Sequence, residues 1–151
     1  MKIFLSSISA TRSRARSGPA ETLAADYLAR ASNYVACAAQ SHASEAALLA
    51  WVDRQSTRTA PQLILLDGGG KQLSSEAFAG ELGRLRDRGT QTIVLAIGPA
   101  DGWSAAARAR ANLVLSFGPI TLPHELARAV LAEQIYRALT ILAEHPYHTG
   151  H

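Results

Sequence analysis

Three short apolar runs in this chain each end at a cluster of glycine or proline. Gln62 to Leu66 runs into Asp67-Gly68-Gly69-Gly70, Thr92 to Ile97 into Gly98-Pro99, and Asn112 to Phe117 into Gly118-Pro119. Runs this short, bounded by turn formers, read as strands buried on both faces. Lys2 to Ile8 and Tyr34 to Ala39 read as two further strands. Segments with helical spacing lie between all of them. That alternation predicts an α/β fold with a mostly parallel sheet flanked by helices on both faces.

The helices have recognisable limits. Gly18-Pro19 opens one that carries Leu23, Ala24, Tyr27, Leu28 and Ala31 on a stripe and runs to about Ser32. Ser44 caps a second, to about Gln55, with Leu48, Leu49 and Val52 inward; Ser74 or Ser75 caps a third, ended by Gly89. Ser104 caps a short fourth. The last is the longest: Thr121 is a suitable cap, Pro123 fits the first turn, and Leu126, Ala127, Val130, Leu131, Ile135, Leu139 and Leu142 form a wide apolar face. Glu125 with Arg128, and Glu133 with Arg137, have the spacing of helix-surface ion pairs. Pro146 predicts an end at His145.

With 151 residues, 48% hydrophobic and 18% charged, the chain reads as one globular domain, 1–151, able to bury a substantial core. No apolar stretch reaches the roughly 18–20 residues of a membrane span. The apolar start at Ile3 to Leu5 is cut short by Ser6-Ser7 and three arginines, so it reads as a strand of a cytoplasmic protein and not as a leader. The lone Cys37 sits among Val35, Ala36, Ala38 and Ala39 and reads as a small buried hydrophobe. The formal net charge of +3 permits a nucleic-acid partner without requiring one.

In a parallel sheet, ligands collect beyond the carboxyl ends of the strands. Three Gly- or Pro-rich loops at such ends, 67–71, 98–102 and 117–121, predict a pocket. Gly68-Gly69-Gly70-Lys71 is not a phosphate loop, because the GxxxxGK[ST] spacing is absent and Gln72 follows the lysine. His145, His148 and His151 repeat every three residues, but no Cys or acidic cluster accompanies them, so no metal is expected. Arg12, Arg14 and Arg16 form a run with no acid before Glu21, which beside a nucleotide site would make a phosphate-contacting rim.

The C-terminal stretch Ile120-Thr121-Leu122-Pro123-His124 through His145-Pro146-Tyr147-His148, with Leu65-Leu66-Asp67, Gly70-Lys71, Ser74-Ser75-Glu76 and Ile97-Gly98 upstream, resembles the RlmH family of ribosomal RNA methyltransferases. That family belongs to the SPOUT class. The similarity is good over roughly residues 62–148. It implies a C-terminal trefoil knot, a homodimer, S-adenosyl-L-methionine as cofactor, and methylation of N3 of a pseudouridine in large-subunit (23S) ribosomal RNA in the ribosome. Carried over by position, it puts the cofactor on Leu66, Gly98, Pro99, Gly118, Pro119, Ile120, Thr121 and Leu122. It makes Tyr147, His148 and His124 the catalytic candidates, with Tyr147 and His148 delivered to the partner's cofactor and His148 the candidate base. The chain departs from the family pattern at Pro99, where a second glycine is usual, and at Thr149, where Arg or Lys is usual. Both departures leave room for an alternative, a non-catalytic RNA- or nucleotide-binding module of the same fold.

Overall fold

The computed structural model describes residues 1–9 and 18–149. Its elements run β1 (Lys2–Ile8), α1 (Pro19–Ala31), β2 (Ala36–His42), α2 (Glu45–Arg54), β3 (Gln62–Gln72), α3 (Ser75–Asp87), β4 (Thr92–Ile97), α4 (Ala105–Arg110), β5 (Leu113–Ser116) and α5 (His124–Leu142). The sheet order is β2-β1-β4-β3-β5 and every pairing is parallel. The expected class is therefore observed, with a core on each face of the sheet. Alternating side chains explain the division. Ile3, Leu5, Ile64, Ile93, Leu95 and Ile97 face α1, α3 and α5, whereas Phe4, Leu63, Leu65, Val94 and Ala96 face α2 and α4.

Helix α5 anchors the first core. Leu131 and Ile135 are fully buried, and the helix packs on both α1 and α3. Removing either side chain down to alanine should cost about 2–5 kcal/mol. Strand β5 lies at the sheet edge beside β3, yet the chain then returns across the sheet to α1. That return is consistent with the trefoil knot the resemblance implies.

Four boundaries differ from expectation. Strand β2 is shifted toward its C-terminal end, to Ala36–His42. Strand β3 does not stop at Leu66 but continues through the three glycines to Gln72. Helix α5 begins after Pro123, which is extended (φ −53°, ψ 148°), so Thr121 is not its cap. It also ends before His145. Glu144 takes a left-handed conformation (φ 57°), with His145 N–H bonded to Thr140 O at 2.9 Å and Glu144 N–H to Ile141 O at 3.1 Å. This is a Schellman ending, normally built with glycine. The left-handed region costs a non-glycine residue roughly 1 kcal/mol or more. We expect Glu144→Gly to raise stability by about 0.5 kcal/mol, after the entropy of glycine in the unfolded chain is subtracted, as read from urea unfolding.

Candidate functional site

The middle of β3, at Leu66-Asp67-Gly68, and the loops after β4 and β5 converge on one cleft of about 290 Å³. Its lining includes Leu66, Gly98, Pro99, Gly118, Pro119, Ile120, Thr121 and Leu122, so all eight residues expected around the cofactor meet in one place. Ile120 stands at this cleft with 69% of its surface exposed. A large apolar side chain left open there, among backbone groups of irregular loops, suits a flat apolar ligand with polar edges. Gly118 adopts φ 104°, and a Cβ built on it meets nothing within 4 Å. A side chain at this position would occupy space the cleft leaves free.

The cleft owes its shape to a bulge in β3. Leu115 of β5 lies opposite Leu66 and again opposite Lys71, so the intervening residues 67–70 are looped out. Asp67 stabilises the loop by accepting the Gly69 N–H at 2.8 Å and the Arg108 guanidinium at 2.8 Å. Gly70 is required sterically, since a Cβ there would lie 2.7–2.8 Å from the backbone of Val114 and Leu115. Ser116 Oγ accepts the Gly118 N–H at 3.0 Å and faces the Gly68 carbonyl at 3.3 Å, which joins the third loop to the first.

Trp103 escaped the sequence reading. It is only 6% exposed, lines the cleft, and donates its indole N–H to the Leu66 carbonyl at 2.9 Å. Gly98 lies against its ring, where a Cβ would come within 2.7 Å. One indole thus fixes the middle of β3 to the loop after β4. A buried tryptophan donor in a loop of otherwise small residues was the available signal. Trp103→Phe leaves the Leu66 carbonyl without this donor. We expect a loss of about 1–3 kcal/mol in unfolding free energy, the typical cost of an unsatisfied buried group, measured by urea titration.

The catalytic candidates lie elsewhere. None of His124, Tyr147 or His148 lines the cleft of its own chain among the described residues. His124 opens α5 shortly after the lining residues, half-buried, and its protonated form is disfavoured first by burial and then by the Arg128 guanidinium. Arg128 reaches across to Glu21 of α1 at 2.7 Å, not to Glu125 as its spacing implied.

Tyr147 and His148 fold back onto α5. The Tyr147 ring packs on Tyr136 at 4.7 Å, and its hydroxyl donates to Glu133 at 3.0 Å. Burial is the main reason the phenol is harder to ionise than usual. Arg137 stacks over the same ring at 4.9 Å while it binds Glu133 at 2.6 Å. That hydrogen bond raises the guanidinium pKa. His148 sits between Arg137 (3.1 Å to Nδ1) and Glu76 (2.7 Å to Nε2).

A second cavity of about 370 Å³ adjoins the cleft at Phe117 and Gly118. The polar groups on its wall largely satisfy each other, with Ser75 donating to Gln134 at 2.7 Å and Ser74 capping α3 at 3.0 Å. Cys37 is partly and not fully buried, and burial pushes its thiol up to about 11. Arg12, Arg14 and Arg16 lie outside the described residues. Among the described residues, no group of three His, Cys, Asp or Glu is placed to hold a metal, and no helix is long and apolar enough to cross a membrane.

The parallel sheet flanked by helices is a fold shared with known proteins. The chain belongs to the SPOUT methyltransferases: a family model described as "Predicted SPOUT methyltransferase" matches residues 1–148. Among its relatives is the protein named ribosomal RNA large subunit methyltransferase H in Koribacter versatilis (strain Ellin345). The two are 53% identical over 131 residues, which cover 87% of this chain and 89% of that one. The protein of the same name in Brucella anthropi is 58% identical over 86 residues, 57% of this chain and 54% of that one. Among solved structures, the SpoU methyltransferase AviRb from Streptomyces viridochromogenes, crystallised in complex with the cofactor AdoMet, aligns with 96% of this chain and 58% of its own. The TM-score is 0.50 at 14% identity, a likeness of fold.

Proposed function

We propose that this protein is a cytoplasmic, homodimeric methyltransferase that uses S-adenosyl-L-methionine to methylate large-subunit ribosomal RNA, at N3 of a pseudouridine. The observation that carries this reading is the gathering of all eight expected cofactor residues in one cleft. The cofactor, when bound, supplies a sulfonium-activated methyl group, chemistry that asks for no metal. The protein's task is then mainly to align donor and acceptor, which by itself can lower a barrier by several kcal/mol, about 7 at the least in well-oriented systems.

In this reading Leu66, Gly98, Pro99 and the segment from Gly118 to Leu122 hold the cofactor. Ile120 and Leu122 supply apolar contact, and the backbone supplies polar edges. Pro99 has no N–H, so it contributes only its carbonyl and its ring. Tyr147, His148 and His124 serve the acceptor, with the first two reaching the cleft of the partner subunit. That neither Tyr147 nor His148 lines the cleft of its own chain supports that arrangement. So does apolar surface on the paired helices α1 and α5, where Leu23 and Leu126 are exposed. Arg12, Arg14 and Arg16 follow β1 in sequence and would meet RNA phosphates, with an affinity that falls as salt rises.

Light scattering should report a dimer at micromolar concentration; a monomer would remove the shared site. Gly118→Val forces a branched side chain into left-handed backbone and into the open cleft, so calorimetry should show S-adenosylmethionine binding abolished. His148→Ala should keep cofactor binding but lower methylation of ribosomes at least about tenfold, or roughly 1.4 kcal/mol in the barrier. Mixed dimers of these two variants should regain part of the activity. A mixture as inactive as either parent, after verified subunit exchange, would defeat the shared site. Cofactor binding by a wild-type chain that methylates no ribosome would leave the binding-module alternative.

A further inference from the structure

His148 was expected to be free to take a proton. Its surroundings are different. Nδ1 faces Arg137 Nη1 at 3.1 Å and Nε2 faces Glu76 Oε1 at 2.7 Å. A guanidinium has only donors, so the Nδ1 that meets it must present a lone pair. The ring proton of the neutral imidazole then sits on Nε2 and is donated to Glu76. Arg137 is itself held, because its Nε and Nη2 both bind Glu133 Oε1, at 2.8 and 2.6 Å. Glu133 also accepts the Tyr147 hydroxyl at 3.0 Å and, through Oε2, the Gln134 amide at 2.7 Å. Gln134 in turn receives Ser75, the neighbour of Glu76 at the start of α3. The ring of contacts closes on itself.

The two partners of His148 are not equally fixed. The side chains of Arg137 and Glu133 are only 17% and 18% exposed, whereas that of Glu76 is 63% exposed. The Glu76 contact is therefore the one that an incoming group can replace without disturbing the rest. Such a group must accept a hydrogen bond.

We infer that Glu133 and Arg137 are positioning residues that set the tautomer of His148, so that it serves the acceptor base as a hydrogen-bond donor through Nε2–H and not as the proton acceptor. This rests on the proposed methyl transfer. The group that displaces Glu76 is a carbonyl oxygen flanking the acceptor nitrogen of the pyrimidine. That nitrogen loses its proton to solvent water, and the negative charge spreads onto the carbonyl oxygen that Nε2–H contacts. The nitrogen electron pair then forms the bond to the methyl carbon as the carbon–sulfur bond breaks, and its electrons stay with sulfur. His148 keeps its proton throughout. Oriented donors aimed at developing charge are an efficient use of a fixed imidazole.

The test begins with the resting full-length protein, labelled with nitrogen-15 at histidine. Long-range proton–nitrogen spectra at mildly alkaline pH, with the His148 signals assigned from a His148→Gln variant, should show Nε2 protonated and Nδ1 bare. Arg137→Met should shift His148 toward a mixture of both tautomers, and Arg137→Lys, which keeps a charged donor, should restore the wild-type pattern at least in part. A wild-type ring protonated on Nδ1, or a pattern unmoved by Arg137→Met, overturns the inference. In turnover, Arg137→Met and Glu133→Gln should lower kcat on ribosomes about tenfold or more, with S-adenosylmethionine affinity held within about twofold. Unchanged kcat in both variants would also overturn it. If wild-type protein methylates no ribosome at all, the proposed function fails, while the nitrogen spectra still decide whether Arg137 sets the tautomer.

Discussion

The close approach of two backbones, β3 and β5, underlies the whole carboxyl end of this sheet. Gly70 lies where even a methyl group would strike the chain of Val114 and Leu115. Because β5 pairs with Leu66 on one side of the bulge and with Lys71 and Gln72 on the other, the four residues between must leave the ladder. Asp67 and Gly68 among them line the cleft, and Asp67 is restrained by Arg108 of α4. Trp103 then ties the Leu66 carbonyl to the next loop. Three loops that would each be loose alone become one wall. A bulge used in this way aims backbone groups and terminates regular pairing at a functional edge.

Much of this fold is legible in the residues, and the reasons are local. Lys2–Ile8 and Thr92–Ile97 are observed at their expected limits; the second is an apolar run closed by glycine and proline, and the first continues through buried Ser6 and Ser7. Ser44, Ser74 and Ser104 cap their helices as expected, each accepting the N–H three residues on. The sheet order is not local, and neither is the fate of Gly68-Gly69-Gly70. Glycines usually mark a turn, and here they let a strand continue beside a neighbour more than forty residues away. The information that distinguishes the two cases lies in β5.

The site divides in the same way. The positions around the cleft could be carried over one by one from a family pattern, since they sit on contiguous loops. The tail could not be read so far. Glu133 and Arg137 have the spacing of an ordinary surface pair, and they do form one, but Tyr147 and His148 fold back and cover it. His148 also meets Glu76, 72 residues away in the chain, a contact that local spacing does not show. The Schellman ending at Glu144 makes that return possible, because the left-handed residue turns the chain just after α5.

The order of the elements, with β5 and α5 following the other four strands, also bears on how the protein is made. A nascent chain that has emerged only as far as α4 already contains β1 to β4 and the first two walls of the cleft. It lacks β5, the strand that forces the bulge at residues 67–70, and it lacks the loop from Gly118 to Leu122. Helix α5, which fills the core between α1 and α3, is also missing. The completed cleft and the packed core therefore arrive together, once β5 and α5 have emerged. A chain that lacks these two elements has neither.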